Sequence, residues 1–369
     1  MPFRKPGQRS RLRIMTKLDN SEPDLTIDES PFTGKRRRWL MLFVLLMGLM
    51  AAYTGWWFWL EDTLRGQINA FIAAEKKQGR TIGYGALTVS GYPGGMRIHI
   101  TDGHAEDPLG GWQLGVPSLQ AFLAPWNIGT LDGTLKAPVT LKLGKGALSG
   151  HYTFSAGRNA LQLDRSDGGR LTLSLEAAQM INEGNGEALA LASLSAALVR
   201  GTVPVYAGLD LEIKDIDLPL RLASPFGPHI AILKTRLHLT GTEPPAGPDA
   251  DALRGWSRDG GALDVKSLNL VHGVLGLAGE GTLALDDDLQ PIGAFAARIT
   301  GFEPAVDQLV GAGLVRRQDG ALAKVVLGVL AKVPNGGGPK QLSLPLSVQD
   351  RELSVGPIKL IRLPRIVWE

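Results

Sequence analysis

The chain contains no cysteine. Disulfides, thiolate metal sites and cysteine nucleophiles are therefore excluded. Also missing, beyond the first 38 residues, is any excess of positive charge. Residues 1–38 carry ten Lys/Arg against five acids, whereas the remaining 331 residues carry 29 basic and 31 acidic groups, a net of −2. Nucleic-acid binding needs Lys and Arg clustered on one face, so a nucleic-acid partner is excluded. The motifs of common catalytic sites are absent too. No HExxH pair, no GxxxxGK[ST] loop and no GxSxG elbow occurs. The six histidines (His99, His104, His151, His229, His238 and His272) are scattered without acidic partners at ligand spacing. Asp286-Asp287-Asp288 is followed by Leu289-Gln290-Pro291, not by the alternating ligands, glycine and distal Glu of a calcium loop, and reads as a solvated hairpin turn. No catalytic, cofactor or metal residue can be named, and the expectation is a protein that is not an enzyme.

What is present begins with 22 consecutive uncharged residues, Trp39 to Leu60. At ~1.5 Å per residue they suffice for the ~30 Å hydrocarbon core of a bilayer. Arg36, Arg37 and Arg38 clamp one end and Glu61-Asp62 the other, while Trp39 on one side and Tyr53, Trp56, Trp57 and Trp59 on the other supply the amphipathic rings that favour the headgroup zone. The anchor residues are thus Arg36, Arg37, Arg38, Trp39, Trp56, Trp57, Trp59 and Leu60. The positive-inside rule places the N-terminus in the cytoplasm and everything after about residue 61 across the membrane. The region before the apolar run is longer than a signal peptide's and no small-x-small cleavage site follows it, so the helix is expected to be retained. Residues 1–38, rich in Arg, Lys, Ser and Pro, are expected to form a disordered basic cytoplasmic tail.

Leu60, Leu64, Ile68, Phe71 and Ile72 recur at helical spacing and predict an amphipathic stalk helix over 61–79, ended by Gly79. Beyond it the period is two. Leu131, Leu135, Val139, Leu141 and Leu143 alternate with Asp132, Thr134, Lys136, Thr140 and Lys142, which predicts one long half-buried strand. The alternation returns at Leu171-Leu173-Leu175, Leu209-Leu211-Ile213, Ile216-Leu218-Leu220-Leu222, Leu237-Leu239 and Leu342-Leu344-Leu346-Val348, among other runs. Turn residues such as Tyr92-Pro93-Gly94-Gly95, Asp102-Gly103, Gly184-Asn185-Gly186 and Asp259-Gly260-Gly261 separate them. The fold class is therefore mainly β with a few helices: one N-terminal transmembrane helix, then a large antiparallel sheet built as a meander of hairpins and either closed over a core or curled into a groove. Helices are predicted at 249–257 and as a pair within 303–332. The Pro-rich segment Gly241–Asp251 divides the exported part into an N-terminal β-rich part, 80–243, and a C-terminal one, 244–369.

Gly83-Tyr84, Leu87, Val89 and Gly91-Tyr92-Pro93, then Trp112 and Pro125-Trp126-Asn127, resemble the N-terminal part of the bacterial DUF2125 family. The likeness continues through Trp256, Gly260-Gly261, Gly281, Leu283, Leu285-Asp286, Gln290-Pro291 and Gly293 to Leu344-Pro345-Leu346, Gly356-Pro357-Ile358 and Leu363-Pro364. The resemblance implies an inner-membrane-anchored protein facing the bacterial periplasm. The succession of strands is also similar to AsmA-like and YdbH-type proteins, whose sheets line a hydrophobic groove suited to acyl chains.

Two functions follow from these readings. A sheet with one leucine-rich face must cover it with helices, another sheet or a ligand, and only a few short helices are available. The first expectation is thus a non-catalytic scaffold in the cell envelope that binds or transfers phospholipid or acyl chains. The second is a closed-core module that assembles with envelope protein partners and takes no lipid.

Overall fold

The computed structural model describes residues 33–144, 149–201, 204–222, 224–242, 250–334, 337–355, 358–363, 365–366 and 368. The chain separates into two compact units, Met1–Gly55 and Trp56–Glu369. In the first unit the described part is the start of α1 (Thr33–Lys77), whose stretch from Trp39 to Met50 presents large apolar side chains that stand more than half exposed. α1 is long and apolar enough to cross a membrane. It opens at Thr33, so residues 33–38 of the expected tail are helical, while residues 1–32 lie outside the described residues. It also runs without a break through the point where the sequence suggests a change from spanning to stalk helix. Lys77 ends it, and Gly79 follows with φ 80°, the left-handed geometry that a helix C-terminus favours.

Among the described residues, the second unit holds the end of α1 and seventeen strands. In chain order these are β1 (Thr81–Gly83), β2 (Ala86–Ser90), β3 (Met96–Asp107), β4 (Trp112–Ala124), β5 (Asn127–Lys136), β6 (Val139–Leu143), β7 (Gly150–Asp164), β8 (Arg170–Asn182), β9 (Ala188–Arg200), β10 (Val205–Asp217), β11 (His229–Thr240), β12 (Ala262–His272), β13 (Leu275–Leu285), β14 (Pro291–Thr300), β15 (Gln341–Gln349), β16 (Glu352–Val355) and β17 (Ile358–Arg362). All pairings are antiparallel, and from β7 to β17 each strand pairs with the next in sequence. Near the start two places are shared. β1 and β2 both lie along β3, and β5 and β6 both fill the space between β4 and β7. The long strand expected over 131–143 is therefore two strands, divided where Pro138 removes a ladder donor. β11 pairs with β12 across the Pro-rich excursion, residues 243–249 of which lie outside the described residues, so one sheet spans both parts of the chain that the sequence divides at this segment.

Among the described residues, three α-helices accompany the sheet: α2 (Ala250–Arg258), α3 (Phe302–Gly311) and α4 (Arg317–Leu330). α2 ends on Asp259-Gly260-Gly261, where Gly261 N–H returns to Trp256 O at 2.9 Å, so this glycine pair caps a helix and is not the hairpin turn its composition suggests. Leu220–Leu222, read as strand, form a 3-10 turn because Pro219 stops β10 from extending.

The ladder is interrupted along one line. The registers skip Gly157 and Ala177 between β7 and β8, Ala177 and Ala192 between β8 and β9, Ala192 and Asp215 between β9 and β10, and Asp215 and Ala231 between β10 and β11. Ala177 (φ 49°) and Asp215 (φ 52°) are left-handed, a conformation for which side chains must be small or able to hydrogen-bond locally. Asp102 (φ 51°) does the same opposite Pro117, within β3 and not in the turn that Asp102-Gly103 suggests. Each skip takes one residue from both strands, so the register is kept on either side while the alternation within each strand shifts. Leu175 and Ala178, three apart, are consequently both buried.

Candidate functional site

Residues directly opposite in an antiparallel pair share a face of the sheet. The registers join Met96, Leu123, Leu131, Leu163, Leu171, Leu198, Leu209, Leu237, Val265, Gly281, Phe295 and Leu346 into one row crossing β3, β4, β5 and β7 to β15. No polar side chain interrupts it. A parallel row reads Leu135 to Leu119 and Ile100 on one side, and Leu175, Leu194, Ile213, Leu233, Leu270, Leu277, Ile299 and Leu342 on the other. The alternation dictates this, since a one-residue slip anywhere would send leucines to the polar side.

Burial along the first row is uneven. Met96 and Leu123 are buried at one end and Val265 further along, but Leu171 is 37% and Leu198 47% exposed in the middle. The helices do not cover this opening. α3 is the main neighbour of α4, and Leu322, Val325 and Val329 of α4 themselves stand exposed. Over Leu163, Leu171 and Leu198 lies a depression of about 450 Å³ that also takes in Tyr206 and Ala207, with Arg165 and Arg200 at its edge. Both arginines are exposed, and neither is paired with a carboxylate among the described residues. Asp164, adjacent in sequence, is occupied otherwise. The Ser166 hydroxyl (2.7 Å) and N–H (2.8 Å) donate to its Oδ1 and, with Arg170, hold its pKa below the ordinary carboxylate value. An apolar floor bordered by two arginines that pair with no carboxylate among the described residues suits an amphiphile carrying negative charge.

The opposite face is polar and largely satisfied by its own side chains. Gln162 Nε2 donates to Asp132 Oδ1 at 2.8 Å, His99 Nε2 meets Ser118 Oγ at 2.9 Å, and Arg236 pairs with Asp210 at 2.7 Å. Glu212 lies between Lys234 (2.7 Å) and Lys214 (2.8 Å), whose hydrogen bonds and charges push its pKa down to about 2. A hollow of about 690 Å³ on this side is lined by Arg97, His99, Gln120, Phe122, Asp132 and Gln162 among others. Several of its polar groups are already used in contacts within the sheet. Among the described residues, no three His, Asp or Glu side chains converge as metal ligands. His272 is buried and holds the 224–227 loop through Ser224 Oγ (3.2 Å) and Gly227 O (2.8 Å).

The residues singled out as the anchor divide in two. Arg36, Arg37, Arg38 and Trp39 lie exposed in the first turns of α1, and Trp56 and Trp59 are exposed and stacked with ring centroids 5.0 Å apart. Trp57 and Leu60 are buried in protein. Trp57 donates its indole N–H to Gly94 O at 3.3 Å and meets the Tyr92 ring edge-on, and Arg65 below it reaches Leu87 O at 3.2 Å. The end of α1 is thus clasped to the loop and strand that open the sheet. Sequence reasoning missed this clasp, as well as Arg165 and Arg200, because neither arginine belongs to a motif.

The geometry defines the class: a β-meander protein with one apolar and one hydrogen-bonded face, preceded by a helix able to cross a membrane. Over residues 57–364 the chain matches the family model described as an uncharacterized protein conserved in bacteria, DUF2125, and it belongs to that family. The resemblance read from the glycine, proline and tryptophan patches is thereby borne out. No curated protein and no solved structure matches the chain, so the likeness to AsmA-like and YdbH-type proteins rests on strand pattern alone.

Proposed function

We propose that this protein is a non-catalytic β scaffold, held by α1 in a bacterial inner membrane with its sheet on the periplasmic side, whose leucine face holds the acyl chains of an anionic lipid. The observation that carries the reading is the apolar row, continuous through twelve strands and most exposed at Leu171 and Leu198. Leu171 and Leu198 are 37% and 47% exposed, so covering each gains a fraction of the about 1.5–3 kcal/mol of a fully buried leucine, and the acyl chain adds about 0.8 kcal/mol for each of its own CH2 groups that leaves water. Arg165 and Arg200 supply the partner for its headgroup. Orientation is supported by Arg36, Arg37 and Arg38 on the first turns of α1, the basic flank that stays in the cytoplasm. A closed-core module for protein partners would hide Leu171 and Leu198, so their exposure weighs against that alternative.

The test is mass spectrometry of lipid carried by the full-length protein purified in a detergent free of phospholipid, compared with a Leu171→Asp/Leu198→Asp variant. Glycerophospholipid retained by the natural chain and lost from the variant supports the reading, while equal retention by both overturns it. A periplasm-dependent reporter fused at the C-terminus should be active, and an inactive fusion would reverse the orientation.

A further inference from the structure

α4 carries an apolar face that stands exposed among the described residues. Leu322, Val325, Val326, Val329 and Leu330 recur at spacings of three and four and so form one stripe. Their exposures are high: Leu322 66%, Val325 65% and Val329 81%. The opposite side of α4 is the one that packs. Gly320 is buried against Val306, Val310 and Val315, leaving no room for a Cβ beside Val310, and Lys324 pairs with Asp307 of α3 at 2.7 Å. The helical hairpin is thus internally satisfied and turns five large apolar side chains outward. Scattered exposed leucines are ordinary, but a continuous stripe of this length marks a contact surface.

Charge indicates what it contacts. Arg316 and Arg317 precede the stripe and Lys332 and Lys340 follow it, all four exposed, against the single acid Asp319 in the first turn. An apolar stripe bounded by cations is the pattern of a helix lying in a bilayer interface, with its apolar side among acyl chains and its cations at anionic headgroups. A chain carrying a membrane-crossing helix also keeps a bilayer within reach, so the second contact forms at high effective concentration. We propose that the α3–α4 hairpin is a second membrane contact, in which the α4 stripe inserts into the interface of an anionic bilayer. This rests on membrane attachment and not on lipid binding by the sheet.

The lack of cysteine makes the test direct, because one introduced cysteine is a unique labelling site. Full-length protein with Val329→Cys or Leu322→Cys, labelled with an environment-sensitive fluorophore, is reconstituted in phosphatidylethanolamine–phosphatidylglycerol vesicles whose acyl chains carry bromine. Asp287→Cys, in the exposed β13–β14 turn, is the reference. The expected result is a blue-shifted emission at 322 and 329 that loses most of its intensity to the brominated chains, with the label at 287 unaffected. Quenching no greater at 322 and 329 than at 287 overturns the proposal. So does a disulfide between two copies through Val329→Cys without quenching, which would assign the stripe to a second copy of the chain. Either result leaves lipid retention by the Leu171/Leu198 face to stand or fall separately.

Discussion

Gln290 and Ile366, 76 residues apart, are joined as two strand residues would be, although one side of the pair is a side chain. Gln290 Nε2 donates to Ile366 O at 3.0 Å, and Ile366 N–H donates to Gln290 Oε1 at 2.9 Å. Trp368 extends the contact by donating its indole N–H to Leu289 O at 2.8 Å. Gln290 is held in place because Asp286 Oδ1 accepts its backbone N–H at 2.7 Å, and the residue is buried. The C-terminal segment is thereby strapped to the β13–β14 turn.

Replacing Gln290 by Leu leaves the Ile366 N–H and carbonyl without their partner, at a cost of about 1–3 kcal/mol for each orphaned group that water does not reach. Gln290→Leu should lower the thermal midpoint and expose the segment after residue 362 to limited proteolysis. Gln290→Glu keeps the acceptor, loses the donor and should fall between the two.

Ala177 occupies the left-handed region at φ 49°, where a Cβ is strained by about 1–2 kcal/mol. Ala177→Gly removes the strain and adds backbone entropy to the unfolded chain, so stability should hold or rise by less than about 1 kcal/mol. Ala177→Val should lower it by about 1–3 kcal/mol. The Ala177→Val melting curve should therefore lie below the natural one, and the Ala177→Gly curve at or above it.

Arg165→Gln/Arg200→Gln should weaken binding of a fluorescent phosphatidylglycerol about tenfold, equivalent to about 1.4 kcal/mol. Binding of a zwitterionic lipid with the same chains should change little. Equal losses for both lipids would show that the arginines shape the depression and do not read charge.

The pH response of Glu212 follows from its lowered pKa. A carboxylate held to about 2 in the folded chain, against its ordinary 4.5, stabilises the fold fully above 4.5 and loses that contribution as pH falls toward 2. Glu212→Gln should thus differ from the natural chain near neutral pH and converge with it between pH 4.5 and 2. Because the pair is exposed, salt should shrink the difference as well.

The strand alternation was readable because each strand is half-buried, so Leu209-Leu211-Ile213 announces both the element and its face. Even the line of kinks left a trace: the odd register of that run gives way to Ile216, an even position, across Asp215. Pro138 and Pro219 were visible as residues, but the long alternation around them hid the breaks they cause. Asp286-Asp287-Asp288 was correctly placed in a turn, but Gln290 beside it is buried, because its partner lies 76 residues away and no local pattern encodes that distance. Arg165 and Arg200 were illegible for a similar reason. Thirty-five residues separate them, and only the pairing of β7, β8 and β9 brings them to one depression.

The unbroken succession of neighbour pairings has a consequence for how the molecule is made. From β7 onward every strand finds its template in the segment synthesised just before it, so loops to be closed are short and the search is local. A chain emerging from its N-terminal end can therefore add strands one at a time to a growing edge, without waiting for distant segments. The strap that ties Gln290 to Ile366 and Leu289 to Trp368 is what waits for the last of the described residues to arrive. Adding or removing a whole hairpin would leave the parity of the remaining strands intact, so a scaffold of this kind can change length in steps of two strands while keeping its leucines on one side.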